Sequence, residues 1–345
     1  MVSIRSSLLA LASLAVAVSA TQSLSLKVSG PAAVDGVDNL KVVATVTNSG
    51  DEILKILNDP RGPLSTRPTD TFSITDASGA KPAFTGIKLK YVPKTAVAVG
   101  AFTTLAPGES VQVEHALGHA YNFSHSGAGT YDIHADNAFL IVNDDNTVTT
   151  IHADSQAHTA KVTGKLAAVR PTAIAKRAKY VGCSSSQQSA LVSAASAAQS
   201  YASSSYSYAS SHSSSTTRYT TWFGTFTTSR YNTVLSQYKS ISSNTFSTFT
   251  FDCTCTESDT YAYVYPDTFG YIYLCGAFWQ APTTGTDSKG GTIIHESSHF
   301  TKNGGTQDYA YGQSAAKSLA KSNPAQAILN ADSHEYYSEN NPALS

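Results

Sequence analysis

This chain lacks an apolar run long enough to cross a bilayer. The one pronounced run is Leu8 to Val18, about a dozen residues where a span needs about 20. With Arg5 ahead of it and Val18-Ser19-Ala20 behind, it has the layout of a secretory signal, so residues 1–20 are expected to be removed and the product to be secreted and extracellular. The competing reading is a buried N-terminal helix. Charge is also scarce: Asp, Glu, Lys and Arg make up 14% of the 345 residues, the net charge is −1, and no long basic run occurs. Nothing therefore calls for nucleic acid or a membrane surface as partner. No internal repeat is evident, and a monomer is expected.

Cysteine is absent from the first half. All four residues, Cys183, Cys253, Cys255 and Cys275, lie in the second. An even count in an exported chain reads as two disulfides. Cys253 and Cys255 are too close for a bridge to each other, so each should reach outward, one to Cys183 and one to Cys275; spacing leaves the pairing open. A zinc site built from all four would need paired C-x-x-C spacing, which is missing.

Length suggests two domains, and the halves differ in character. Residues 21 to about 165 alternate in the manner of strands: 24–28, 40–46, 72–74, 87–92, 110–113, 131–133 and 138–142, with turns at 48–50, 76–79, 107–108 and 126–129. This predicts an all-β sandwich of immunoglobulin-like kind. Asn122-Phe123-Ser124 is a glycosylation sequon. The alternation fades over 165–179, where Lys176-Arg177 forms a dibasic processing site. The expected organisation is a β-sandwich pro-domain with linker over 21–177 and a mature domain over 178–345. The second half is predicted to be α+β and mainly helical. A Ser/Ala-rich amphipathic helix is preferred to a disordered linker over 184–217, further helices fall at 230–240, 290–300, 311–321 and 324–336, and 261–278 is β-like with a turn at 266–270.

The chemistry is concentrated in His295-Glu296-Ser297-Ser298-His299. On a helix, H-E-x-x-H places both imidazoles on one face, within reach of one metal ion, and sets a carboxylate where it can deprotonate a water. A catalytic zinc needs a third protein ligand. The metzincin continuation fails, with Lys302 in place of its glycine and Gly305 in place of its last histidine. Gly304-Gly305 should end the helix and reverse the chain, returning Asp308 toward the metal.

His295-Glu296-x-x-His299 followed by Gly305-Thr306-x-Asp308-x-x-Tyr311-Gly312 resembles the signature of the aspzincins, the deuterolysin family of fungal metallopeptidases. Within that family the likeness is to the peptidyl-Lys metalloendopeptidases, and it runs from Gly182-Cys183 to the C-terminus. The resemblance implies a zincin-like catalytic domain holding one zinc on His295, His299 and Asp308. It implies Glu296 as general base and acid, Tyr311 as oxyanion donor (its alternative being a packing aromatic), and disulfides Cys183–Cys253 and Cys255–Cys275. It implies further that Asp332 and Glu335, neighbours on a helical face, line a pocket for the lysine after the scissile bond; without it they read as solvated helix charges. Substrates would be proteins and peptides cut before lysine.

A pro-domain without cysteine excludes inhibition by a thiolate on zinc. Its histidines, His115, His119, His125, His134, His152 and His158, could block the metal but read mainly as surface residues. The family's precursors imply a pro-domain that aids folding or inhibits. His334 reads as structural and His212 as a surface residue. The alternatives are a broad-specificity deuterolysin-like peptidase and a secreted, non-catalytic binding protein with a degenerate peptidase domain.

Overall fold

The computed structural model describes residues 21–168 and 179–345. The signal segment 1–20 and the dibasic pair Lys176-Arg177 lie outside the described residues. No helix among the described residues is long and apolar enough to cross a membrane.

The first half is built almost wholly of strands. One four-stranded sheet runs Asp154–Gln156, Leu24–Ser29, Lys41–Asn48, Ser110–Ala116, and a second runs Ala33–Asp35, His158–Thr163, Gly129–Ala135, Phe72–Asp76. In Lys41–Asn48 alternate residues are buried, as expected when one face of a pleated strand meets the core. Val42, Ala44 and Val46 from the first sheet and Ile74, Ile133 and Val162 from the second share one apolar core. A third four-stranded sheet, Val148–His152, Ala138–Val142, Leu54–Leu57, Phe102–Leu105, extends this half. All seven predicted strands exist. The immunoglobulin-like form is not established: Leu24–Ser29 pairs in parallel with Asp154–Gln156, as does Ala33–Asp35 with His158–Thr163.

One predicted strand goes elsewhere. Lys88–Tyr91 joins the sheet of the second half, whose order is Tyr180–Val181, Thr250–Asp252, Tyr271–Leu274, Thr260–Val264, Lys88–Tyr91. Its two faces explain the departure. Leu89 and Tyr91 join Leu57, Ile87, Ala96, Val142 and Tyr311 in an apolar cluster, whereas Lys88 and Lys90 point the other way and are also buried.

The second half is α+β, as expected. Helix Ser185–Ser211 opens with a capping box between Ser184 and Gln187. Its buried stripe of Leu191, Ala194, Ala195, Ala198 and Ala202 is nearly all small residues, so a second helix can approach closely. That neighbour is the motif helix, Lys289–His299; a Cβ on Gly290 would lie 2.9 Å from Ala197 Cβ. Helices Thr228–Ser242, Gly312–Ser322 and Ala331–Glu339 follow prediction, except that the run from 324 is broken after Pro324–Ala327. Helix Thr217–Phe223 was not anticipated. Cys183–Cys253 and Cys255–Cys275 are bonded as the family resemblance implies, each tying a strand end to its neighbour.

Candidate active site

The motif helix is buried along its whole length, and its start is defined by Ser288, whose hydroxyl accepts the Gly291 N–H at 2.9 Å. It ends at His299, before the double glycine rather than at it, because Phe300 is already extended. Gly305, at φ 58°, then reverses the chain, a conformation that suits glycine. The returning loop is held by Asn330, whose side-chain oxygen accepts the N–H groups of Tyr309 and Ala310, both at 3.0 Å.

These elements bring His295, His299 and Asp308 together. Asp308 Oδ1 is 3.3 Å from His295 Nε2 and 3.2 Å from His299 Nε2. His299 Nδ1 faces the Thr306 carbonyl at 2.9 Å, which assigns its proton there and leaves Nε2 as a lone pair. Two lone-pair atoms, His299 Nε2 and Asp308 Oδ1, are thus buried 3.2 Å apart without a hydrogen-bond partner. Such a contact is costly unless a cation joins it. With the three ligand atoms within 4.8 Å of one another, two imidazoles and a carboxylate fit a tetrahedral zinc with one open position.

Around this point lies strand Lys88–Tyr91. Tyr311 donates its hydroxyl to the Leu89 carbonyl at 2.9 Å, and the same oxygen is 3.2 Å from His295 Nε2. Glu296 Oε1 accepts the Lys90 N–H at 2.8 Å, and Asp308 Oδ2 accepts that of Leu89 at 3.2 Å. Burial pushes the Glu296 carboxyl well above its ordinary range, and Asp308 adds to this. Burial likewise keeps the Tyr311 phenol protonated, hence a donor. Its ring packs edge-on to Tyr91 and beneath the Arg61 guanidinium at 4.2 Å. Arg61, held by Asp59 at 2.8 Å, donates to the Asp308 carbonyl at 2.9 Å.

The Lys90 ammonium is wholly buried, 2.8 Å from Glu335 Oε2, 2.9 Å from Asp287 Oδ1 and 3.1 Å from Asp332 Oδ1. Burial opposes its charge, but the three carboxylates outweigh burial and raise its pKa well above the ordinary value. Asp332 and Glu335 are therefore not solvated helix charges: both side chains are 0% exposed. Asp332 Oδ1 also lies 2.8 Å from His295 Nδ1 and its Oδ2 accepts the Gly312 N–H at 2.6 Å, so it is placed to orient the imidazole of a candidate ligand and fixes the loop beyond Tyr311. His295, Asp332 and Glu335 form a second cluster of potential ligands, but the Lys90 ammonium already lies against both of its carboxylates.

Asp287 was missed in the sequence because nothing marks an aspartate ahead of a helix as a pocket residue. Its neighbour Ser288 and its own backbone N–H are held by the Glu339 carboxylate. Tyr336, whose hydroxyl donates to Asp287 Oδ1 at 2.6 Å, closes the pocket. His334 is structural, with Nδ1 on the Asn330 carbonyl and Nε2 on the Gln237 amide, and His212 is exposed. Of the six first-half histidines, His115 is buried against the Pro63 carbonyl, His158 is half-buried and the others are exposed. It is a lysine strand that fills the cleft, not a histidine.

A family model described as lysine-specific metallo-endopeptidase, the aspzincins, matches residues 208–339. The peptidyl-Lys metalloendopeptidase of Grifola frondosa is 61% identical over 343 residues, covering 98% of this chain and 99% of that protein. The chain belongs to the aspzincin family. It is a zinc-dependent metalloendopeptidase. A second relative, the peptidyl-Lys metalloendopeptidase of Armillaria mellea, is 58% identical over 96% of this chain and 95% of its own. That of Pleurotus ostreatus is 70% identical over 167 residues, 48% of this chain and 99% of its own. A solved structure of a zinc peptidase from Grifola frondosa matches with a TM-score of 0.47 and 66% identity, over 47% of this chain and all of that one.

Proposed function

We propose that this aspzincin is the precursor of a secreted enzyme that hydrolyses peptide bonds on the N-terminal side of lysine. The observation that carries the reading is the buried Lys90 ammonium among Asp287, Asp332 and Glu335, with its own peptide nitrogen on Glu296. Burying a lysine charge is costly in a cleft without fixed anions, so a pocket with three of them selects that side chain. A broad-specificity site would have no use for so much buried negative charge.

His295, His299 and Asp308 would hold one zinc, which supplies a Lewis acid for the scissile carbonyl and lowers the pKa of the attacking water. The remaining steps fall to the protein. Glu296, its carboxyl raised by burial, takes the water's proton and delivers it to the leaving nitrogen, the atom it already faces in Lys90. Tyr311 donates to the carbonyl oxygen as negative charge develops there. Asp332 holds the proton on His295 Nδ1, so that Nε2 faces the metal position.

The proposed organisation is a signal over 1–20, a pro-domain over 21–177 ending at Lys176-Arg177, and a catalytic domain over 178–345. The Pleurotus relative, matched over 167 residues and 99% of its length, has about the size of that last part. The pro-domain, as inhibitor or folding aid, would be the catalytic domain's first partner. The test is to digest an unfolded protein with the processed, zinc-loaded enzyme and sequence the products. Cuts before lysine, abolished by a chelator and restored by zinc, are expected; a spread of residues after the cut bonds refutes the specificity.

A further inference from the structure

We propose that the Leu89–Lys90 peptide bond is a tethered substrate, and that the zinc-loaded precursor hydrolyses it within its own chain. The inference rests on the lysine reading above and adds to it which bond the cleft holds. Five contacts put that bond in the reacting position. The Leu89 carbonyl oxygen lies on Tyr311 and His295, the Lys90 nitrogen on Glu296, the Lys90 ammonium in the carboxylate pocket, and the Leu89 N–H on Asp308.

The strand is presented as a peptide would be. Lys88–Tyr91 adds to the edge of the second-half sheet antiparallel to Thr260–Val264, with Leu89 opposite Tyr263 and Lys90 opposite Ala262. Strand addition of this kind lets main-chain bonds fix register while alternate side chains enter pockets. Here the alternation sends Lys90 into the carboxylates and Leu89 toward the apolar cluster. Arg61 anchors the same half to the Asp308 loop and the Tyr311 ring, and the Thr95 and Tyr261 hydroxyls meet at 3.1 Å just beyond the strand. The first half thus closes the cleft to other substrates while its own bond is in place.

Hydrolysis would add one water across this bond. The hydroxyl goes to the Leu89 carbonyl carbon as the carbon–nitrogen bond breaks, Glu296 passes the water's first proton to the Lys90 nitrogen, and the proton of the new carboxylic acid then moves to the amine, leaving a Leu89 carboxylate and a Lys90 α-ammonium. Since the bond is tethered, the rate should not depend on protein concentration.

The experiment uses the full precursor, purified metal-free, then given zinc and followed by intact mass and N-terminal sequencing. A new N-terminus reading Lys90-Tyr91-Val92 should appear with a first-order, concentration-independent rate. It should be absent in Glu296→Gln and at least about 100-fold slower in Lys90→Met, which keeps the stem but not the charge. In the metal-free protein, amide exchange at 88–91 and 260–264 should be slow, and faster in Lys90→Ala; fast exchange in the unsubstituted protein overturns the placement. An intact Leu89–Lys90 bond in folded, zinc-loaded precursor overturns the proposal, as does a rate rising with concentration or equal cutting of Lys90→Met. A free lysyl peptide given to the processed enzyme separates the two failures. If that peptide is cut while the precursor bond survives, only this inference falls; if neither is cut, the lysine reading falls too.

Discussion

Asp287→Asn in the processed enzyme separates the proposed specificity pocket from the candidate metal site. Asp332 and Glu335 both approach His295 Nδ1, at 2.8 and 3.3 Å, so changing either disturbs a candidate ligand as well as the pocket. Among the described residues, the Asp287 carboxylate reaches the lysine ammonium, at 2.9 Å, and the Tyr336 hydroxyl, and not His295. Coulomb's law with an effective dielectric of 20 gives about 6 kcal/mol for unit charges at that distance, an upper bound. The aspartate side chain is 25% exposed and two other carboxylates remain, so a charge-assisted hydrogen bond of about 1.5–3 kcal/mol is the better measure of the loss. That converts to a fall in kcat/KM of about 10- to 150-fold for a peptide with lysine after the cut bond. A matched peptide with norleucine there should change little, and zinc content should stay at that of the unsubstituted enzyme. Asp332→Asn, by contrast, should lower both lysine selectivity and zinc affinity, the latter by about 10- to 100-fold. If Asp287→Asn cuts lysyl peptides as well as the parent, the pocket has been assigned to the wrong residues.

Tyr311→Phe keeps the ring against Tyr91 and Arg61 and removes only the hydroxyl on the carbonyl oxygen, so kcat should fall about 100- to 1,000-fold with KM and zinc content little changed; an unchanged kcat refutes its role. Gly291→Ala would push a methyl group into the Glu339 carboxylate that holds Asp287 and Ser288, and should lower stability by about 1–3 kcal/mol in urea titration. His334 is fully buried, and burial, followed by the nearby histidines, lowers its pKa to about 4. The unfolded chain therefore binds more protons between the two values, so His334 contributes stability above about pH 6.5 that is lost as pH falls toward 4, up to about 3 kcal/mol. In His334→Gln that part of the acid dependence should vanish; an unchanged slope would show that the buried imidazole is not its source.

The clustering of the candidate centre is legible because its members are local in sequence: two histidines one turn apart, a glutamate between them, and an aspartate returned by a glycine turn. The buried stripe of helix Ser185–Ser211 was legible by its spacing despite a composition that reads as a linker. What stayed hidden depends on long-range contact. Lys88–Tyr91 alternates like its neighbours, and its sequence carries no sign that it joins a sheet through Thr260–Val264, far along the chain. Asp287 and Glu339 act through a loop and a helix that meet only in the folded chain. Asp332 and Glu335 were expected to be exposed on spacing alone, since a helical pair of acids is usually solvated; their burial follows from a cation supplied by the other half.

That cation suggests why specificity and catalysis share residues here. Asp332 faces His295 Nδ1 at 2.8 Å through the oxygen that also faces the lysine ammonium, and its other oxygen holds the Gly312 N–H next to Tyr311. With no lysine present, Asp332, Glu335 and Asp287 face one another beside a candidate metal ligand, and their mutual repulsion raises the cost of keeping all three charged. Entry of an ammonium relieves that repulsion and leaves Asp332 fully ionised against His295 Nδ1. Lysine binding should then improve the orientation of the imidazole as well as anchor the substrate. A neutral side chain of equal length would fill the same space and leave the carboxylates unpaired. Discrimination should consequently be expressed in kcat as well as in KM, the pattern expected when binding energy serves the transition state more than the ground state.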